Sequence, residues 1–405
     1  MPFVADRLKV IKPSPTLAVS AKAARLKAEG KDVIAMGAGE PDFDTPQFIK
    51  DAAIAAINKG YTKYTAAGGT PSLKKAIIGK FKRENGLDYA EKEILVSCGG
   101  KQTSFNLCMA LLNQGDEAIV PAPFWVSYPD MAQMANAKPV FIEAGIDQGF
   151  KITPQQLERA ITPRSRLIWI NSPSNPTGSV YTAAELKGLG EVLRKHPNIV
   201  IATDDMYEHI LLDGSKFVNI VNVCPDLYPR TVVMNGVSKA YSMTGWRIGY
   251  CGGPQELIEA MENVQSHSTS NPTSISQYAA EAALTGDQSC IDPMVAAFKE
   301  RARVITEGLN RIPGVSSLAP DGAFYAFPDC REAIRTLHAA GKIAAPTDLA
   351  LCDYLLAQPQ AVAAVPGSAF GAEGYLRISF ATSMDNIKKA VDRMAAAIGQ
   401  VRVAA

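Results

Sequence analysis

The chain of 405 residues lacks several features that would declare a function at once. It holds no apolar run of the roughly 18 residues that a membrane span requires. Its N-terminus, MPFVADRLKV, has no apolar core of a secretory signal. An excess of either charge is missing too: 41 Lys and Arg stand against 40 Asp and Glu, for a net charge of +1. That balance excludes the electrostatic footprint of a nucleic-acid or anionic-membrane binder. The seven cysteines (Cys98, Cys108, Cys224, Cys251, Cys290, Cys330 and Cys352) are odd in number and form no CxxC pair. They read as reduced thiols of a cytoplasmic protein rather than as a disulfide framework. The four histidines (His196, His209, His267 and His338) show neither an HExxH pattern nor a ligand cluster. No metal site is expected from them, and His209 and His267 read as structural. Internal repeats and low-complexity linkers are absent as well.

What remains is an ordinary globular composition, 47% hydrophobic and 20% charged, long enough for two domains with a sizeable core. Through the middle of the chain, apolar runs of strand length alternate with helical patterns. The runs are EILVS (93–97), EAIVPAP (117–123), KPVFIEA (138–144), RLIWINSP (166–173), NIVIATDD (198–205) and TVVMNGVS (231–238). Several lack clean alternation, as strands covered on both faces do. This predicts an α/β fold with a mostly parallel central sheet wrapped by helices, over residues 48–290. After about residue 290 one long amphipathic helix, two short strands and a final amphipathic helix predict a smaller α+β domain. It would comprise residues 291–405 joined by the N-terminal segment 1–47.

In open α/β sheets ligands bind beyond the carboxyl ends of the strands, and the unusual residues of this chain sit there. Gly99 and Gly100 follow EILVS and open a helix, either as a plain tight turn or as a backbone cradle for phosphate. NSPSNPTG (171–178) follows RLIWI, and its two X-Pro bonds stiffen a loop around Asn175. DDMY follows NIVIAT; a carboxylate at the end of a buried strand needs a partner, which a cationic ring nitrogen would supply. Of the two aspartates, Asp205 reads as a helix N-cap. GVSKAYSMTGWRIGY (236–250) places Lys239 and Arg247 among small, hydroxyl and aromatic residues, where a buried cation is costly unless paired or neutralised. A desolvated Lys can condense with an aldehyde, and an Arg nearby lowers its pKa and can grip phosphate through its planar fork. Each signal alone is weak. As a set they fit pyridoxal 5′-phosphate.

SPSNPTG, DDMYEH, SKAYSMTGWRIGY and YLRISFATS together resemble the class I, fold-type I aminotransferases, close to the bacterial aspartate/prephenate subgroup. KPSPTLAVSAKA, GAGEPDFDTP, GTPSLKKAI, GGKQ and APFWVSYPDM extend the resemblance over nearly the whole chain. The resemblance implies that Lys239 carries the cofactor, that Asp204 pairs with its ring nitrogen, and that Tyr207 and Asn175 bond its phenolic oxygen. Trp125 would stack on the ring. Gly99, Gly100, Lys101, Ser238 and Arg247 would hold the phosphate, with Tyr64 reaching the phosphate of a partner subunit in a homodimer. Arg377 would clamp the substrate α-carboxylate, helped by Gly39 and Asn175. Lys101 is the implied second cation for a dicarboxylate, and Lys12 and Thr16 are tied to acceptance of prephenate; a solvated surface lysine is the plain alternative for Lys12. Two departures stand out: TDDMY replaces the common SDEIY, and Gly236 stands where some relatives have serine. The expected reaction is aspartate:2-oxoglutarate transamination, with prephenate as a further acceptor. An aromatic or broad-specificity aminotransferase, a β-lyase and a non-enzymatic sensor are the rival readings.

Overall fold

The computed structural model describes residues 3–11, 13, 15–357 and 360–399. Strand β1 (Asp32–Ala35) precedes seven strands: β2 (Ile94–Ser97), β3 (Glu117–Ala122), β4 (Lys138–Glu143), β5 (Ser165–Asn171), β6 (Val200–Asp204), β7 (Thr231–Gly236) and β8 (Gly249–Gly252). Four short strands close the list: β9 (Tyr325–Ala326), β10 (Gln360–Ala363), β11 (Val365–Pro366) and β12 (Leu376–Ser379). β2 to β8 form one sheet in the order β2-β8-β7-β6-β5-β3-β4. β3, β4, β5, β6 and β7 pair in parallel, while β8 runs antiparallel to β2 and to β7. The unalternated apolar runs explain this layer: β2, β7 and β8 are buried at every position, as strands packed on both faces must be.

Local capping matches the helical segments read from the sequence. Thr182 accepts from the Glu185 amide while Glu185 reaches back to the Thr182 N–H, opening the helix Ala183–Arg194. Thr153 and Gln156 do the same for Pro154–Ala160. The chain order reverses between β3 and β5, which lie side by side. This is a topological switch point, where the crevice beyond the strand ends is open to a ligand.

The remaining strands form two smaller sheets. β1 pairs in parallel with β10, and β11-β12-β9 is an antiparallel trio. The pairing of residues 32–35 with 360–363 ties the start of the chain to its last quarter. β1, β8, β10 and the two-residue β11 have no counterpart among the strands expected from the sequence. β8, GYCG, is too small and glycine-rich to show a strand pattern, and DVIA and QAVA are each only four residues long.

Candidate active site

The carboxyl ends of β5, β6 and β7 converge on one cavity of about 480 Å³. Lys239 enters it three residues after β7 ends. Its Nζ donates to the Gly39 carbonyl at 2.5 Å and lies over the Tyr207 ring, 5.8 Å from the centroid. Burial lowers its pKa from 10.5 to about 8; Glu40 and Asp204 oppose the shift, while Arg377 and Arg247 add to it. Its amine is therefore neutral part of the time near physiological pH.

Asp204 ends β6 and faces the same cavity. The Tyr128 hydroxyl donates to its Oδ2 at 2.6 Å, and the Met206 N–H reaches its Oδ1 at 3.4 Å. Burial raises its pKa and these two bonds pull it back. Among the described residues Asp204 makes no ion pair, so its charge is answered only by dipoles and by Lys239 at longer range. Asp205 points the other way. It is buried, it accepts from Asn219 Nδ2, and only a single turn follows it, closed by the Glu208 N–H on the Asp205 carbonyl at 2.9 Å. The N-cap expected of Asp205 is thus not made, because no helix starts there.

Tyr207 and Tyr325 share a hydrogen bond between their hydroxyls at 2.8 Å. Asn175 is held from two sides: its N–H donates to Asn171 Oδ1 at 2.8 Å, and its Oδ1 accepts from Arg377 at 3.0 Å. The peptide bonds before Pro173 and Pro176 are both cis. Arg377 is 2% exposed, with its guanidinium between the rings of Tyr325 and Phe370 at 4.7 and 4.9 Å. It also donates to the Gly37 carbonyl at 2.8 Å, while its buried Nε has no partner among the described residues. Only two of the five N–H donors of this guanidinium are engaged by these bonds, and the residue lines the cavity, so it retains donors for a carboxylate.

Gly99 has φ +87° and precedes the helix Gly100–Leu111; a side chain there would collide with the Arg247 guanidinium. Gly249 is required for the same approach, since a Cβ on it would meet the Gly99–Gly100 backbone. Arg247 lines the cavity but is exposed, which corrects the expectation of a buried cation. It sits at φ +56° at the end of the turn Thr244–Trp246, and among the described residues its donors reach only the Thr244 and Cys98 carbonyls, at 2.8 and 3.4 Å. Ser238 is buried on the same wall. A serine at position 236 would be tight, because a Cβ there lies 3.1 Å from both Ile248 O and Met206 Cε.

Gly39, Gly100, Lys101, Trp125 and Thr16 complete the walls. Lys101 Nζ lies over the Trp125 ring at 5.1 Å, and burial followed by Arg247 lowers its pKa. Tyr64 is 90% exposed and is not among the residues lining this cavity. Lys12 lies outside the described residues. Four residues of the site were not singled out in the sequence: Tyr128, Asn171, Tyr325 and Glu40, whose Oε2 accepts from Thr244 at 2.8 Å. Tyr128, Asn171 and Glu40 sit inside motifs quoted above and Tyr325 does not, but none of the four carries a spacing signal that separates it from core or turn.

An under-neutralised carboxylate, a partly neutral amine, a glycine cradle at a helix start beside an exposed guanidinium, and a buried guanidinium with a spare donor fit a phosphorylated pyridine aldehyde and an α-amino acid. The family model for aminotransferases of class I and II matches residues 31–394. The chain belongs to that family. An aspartate/prephenate aminotransferase of Nitrosomonas europaea is 65% identical over 97% of this chain and 98% of its own. An aspartate aminotransferase of Geobacillus stearothermophilus is 50% identical over 96% and 98%. Among solved structures, the aspartate aminotransferase of Rhizobium meliloti matches with a TM-score of 0.93 at 49% identity, over 99% of this chain and 100% of that one. That of Thermus thermophilus with maleate matches at 0.91 and 40%, over 98% and 100%. The fold is thus that of a class I and II aminotransferase.

Proposed function

We propose that this aminotransferase uses pyridoxal 5′-phosphate to move the amino group of L-aspartate to 2-oxoglutarate, giving oxaloacetate and L-glutamate. We propose also that it aminates prephenate to L-arogenate. The carrying observation is the placement of a Lys239 amine of lowered pKa in one cavity with the carboxylate of Asp204 and the guanidinium of Arg377, which has N–H donors beyond its two bonds. The names of the relatives support the choice of substrates.

When bound, the cofactor supplies an aldehyde that holds the substrate amine and a cationic ring that draws electrons from Cα. The protein does the rest. The backbone N–H groups of Gly99, Gly100 and Lys101, with Ser238 and Arg247, would hold the phosphate. Asp204 would keep the ring nitrogen protonated, Tyr207 and Asn175 would bond the ring oxygen, and Trp125 would cover the ring face. Arg377 would grip the α-carboxylate beside Gly39, orienting the Cα–H bond. Lys239, neutral part of the time, would take that proton on Nζ and hand it on, as a general base and then a general acid. Lys101 would meet the distal carboxylate that aspartate, glutamate and prephenate offer, with Thr16 and Lys12 on the segment above it. Amine and keto acid would alternate in one site, so ping-pong kinetics are expected.

Three further readings accompany the reaction. A homodimer with shared sites is supported by the exposure of Tyr64 and its apolar neighbours Ile54, Ile57 and Tyr61. A large domain of 48–290 and a small one of 1–47 with 291–405 is supported by the pairing of β1 with β10. A cytoplasmic setting is supported by seven free cysteines, while no helix among the described residues is long and apolar enough to cross a membrane.

The test is direct. The protein loaded with pyridoxal phosphate should form oxaloacetate from aspartate and 2-oxoglutarate, and arogenate from glutamate and prephenate. Lys239→Ala should lower both rates by at least about a thousandfold. Release of pyruvate and ammonia in place of keto-acid exchange would point to a β-lyase instead. Aspartate turnover without any prephenate turnover would remove the second activity alone.

A further inference from the structure

We propose that Tyr128 is a positioning residue that keeps Asp204 charged through its hydroxyl while its ring sets the plane of Trp125. The proposal rests on the reading above, in which Asp204 serves the ring nitrogen and Trp125 the ring face.

Tyr128 is the one described side chain that bonds the Asp204 carboxylate. It lies on the helix Ser127–Met134 and is 2% exposed. One face stacks on Trp169, with centroids 4.9 Å apart and planes 19° from parallel. Trp125 meets it nearly at right angles, 83° at 5.2 Å. The hydroxyl ends 2.6 Å from Asp204 Oδ2. A ring clamped by one indole cannot swing its hydroxyl, so the donor is fixed before any ligand arrives. The same ring, met edge-on by Trp125, transmits that fixed pose to the residue expected to cover the cofactor.

The electrostatics agree with this role. Burial pushes the Asp204 carboxyl up, and the Tyr128 bond is the largest influence drawing it down, ahead of the Met206 N–H and the Lys239 charge. Asp204 is faced by Tyr128 from the helix, by Lys239 from the segment after β7, and by Asp205 and Tyr207 on its own turn. Of these, Asp205 and Tyr207 cannot help a negative charge. Tyr128 itself is raised well above 10, so it stays a donor through the working range and never competes as an acid. With the hydroxyl gone, Asp204 would keep one long backbone bond. A carboxyl driven neutral cannot hold a proton on a pyridine nitrogen.

Tyr128→Phe keeps both ring contacts and deletes only the hydroxyl, so it separates the two halves of the role. The protein is loaded with pyridoxal phosphate carrying ¹⁵N in the ring, and the nitrogen signal is followed against pH. In the wild type the ring nitrogen is expected to stay protonated well into the alkaline range. In Tyr128→Phe it should lose its proton at a pH about one unit lower or more, and aspartate turnover should fall roughly ten- to hundredfold at unchanged KM. Loading with the N-methylated cofactor, whose ring charge needs no proton, should bring the two rates together. Fluorotyrosine placed at position 128, a stronger donor, should move the titration the opposite way, and that reading does not depend on the fold of Tyr128→Phe. Coincident nitrogen titrations in wild type, Tyr128→Phe and the fluorinated protein would overturn the role of Tyr128 and leave the aminotransferase reading standing. A wild type that gives no bound nitrogen signal would overturn both.

Discussion

The turn after β6 separates two charged regions that differ in one respect. Asp204 and Tyr207 face the cavity. Asp205 and Glu208, each one residue further on, face away from it into a network with Lys80, Asn85, Asn219 and Asn235. Both regions place ionisable groups where water is scarce. In the network the buried cation is answered, although Asp205, like Asp204, makes no ion pair among the described residues: Lys80, 0% exposed, pairs with Glu208 and donates to Asn85 Oδ1 at 2.7 Å. Asn85 and Asn235 each donate to the Glu208 carboxylate at 2.7 Å, and Asn219 serves Asp205. In the cavity the account stays open among the described residues: Arg377 meets no carboxylate, Arg247 reaches only carbonyls, and Asp204 makes no ion pair. Buried charge by itself therefore does not mark a site. Buried charge that lacks its complement and faces an open cavity does. Glu84, Glu208 and His209 make the point from the other side. Their ligand atoms lie within 4.8 Å of one another, a spacing that could hold a metal ion, but Lys80 is the cation already paired with both carboxylates.

If the network is structural and the cavity functional, substitutions in the two should separate stability from turnover. The largest effect is expected from Lys80→Met. It leaves Glu208 buried without its cation and should cost about 3–5 kcal/mol in denaturant unfolding. Adding Glu208→Gln should recover most of that loss, and the folded fraction of either variant should keep the KM for aspartate of the wild type. A stable Lys80→Met protein with a raised KM would erase the distinction. Arg377→Lys should behave in the opposite manner. The ammonium cannot reproduce the planar fork that bonds Asn175 and Gly37 and still has a donor to spare, so KM for aspartate should rise roughly ten- to hundredfold. Its unfolding midpoint should shift far less than that of Lys80→Met.

The cavity was largely legible in the sequence and the network was not. Lys239, Asp204 and Asn175 stand out because polar residues at strand ends in apolar surroundings are few, whereas Arg377 is indicated only by the resemblance of YLRISFATS to a known family. Lys80 and Glu208 lie 128 residues apart in unremarkable helical and turn sequence, and only the fold brings them together. The sheet was legible where runs were long and apolar, as in β5 to β7. It was not where strands are short or glycine-rich: β8 has no pattern of its own, and β1 becomes a strand only by pairing with β10. Side-chain exposure also escaped the sequence. Arg247 reads as buried beside Trp246 and Ile248, yet a left-handed backbone at that one position leaves it exposed at the cavity wall.

The smallest of the expected effects tests the network through pH. Burial alone would raise the Glu84 carboxyl, but the His209 hydrogen bond, the charges of Lys80 and His209 and the bond from Arg83 together lower it from 4.5 to about 2. His209 Nε2 lies 2.9 Å from Glu84 Oε2, and Lys80 Nζ lies 3.5 Å from the same oxygen. A carboxyl that is more acidic folded than unfolded stabilises the protein above its unfolded pKa, because there it is ionised in both states and paired in only one. That contribution is complete above about 4.5 and is lost as the pH falls towards 2. Glu84→Gln has no such proton to take up. Urea unfolding followed from pH 6 downward should therefore show the wild type and Glu84→Gln converging as the solution is acidified, with their difference flat above that window. A difference that stays constant down to the lowest accessible pH would mean that Glu84 is not held as an ion by this network, and the contrast with the cavity would rest on Lys80 and Glu208 alone.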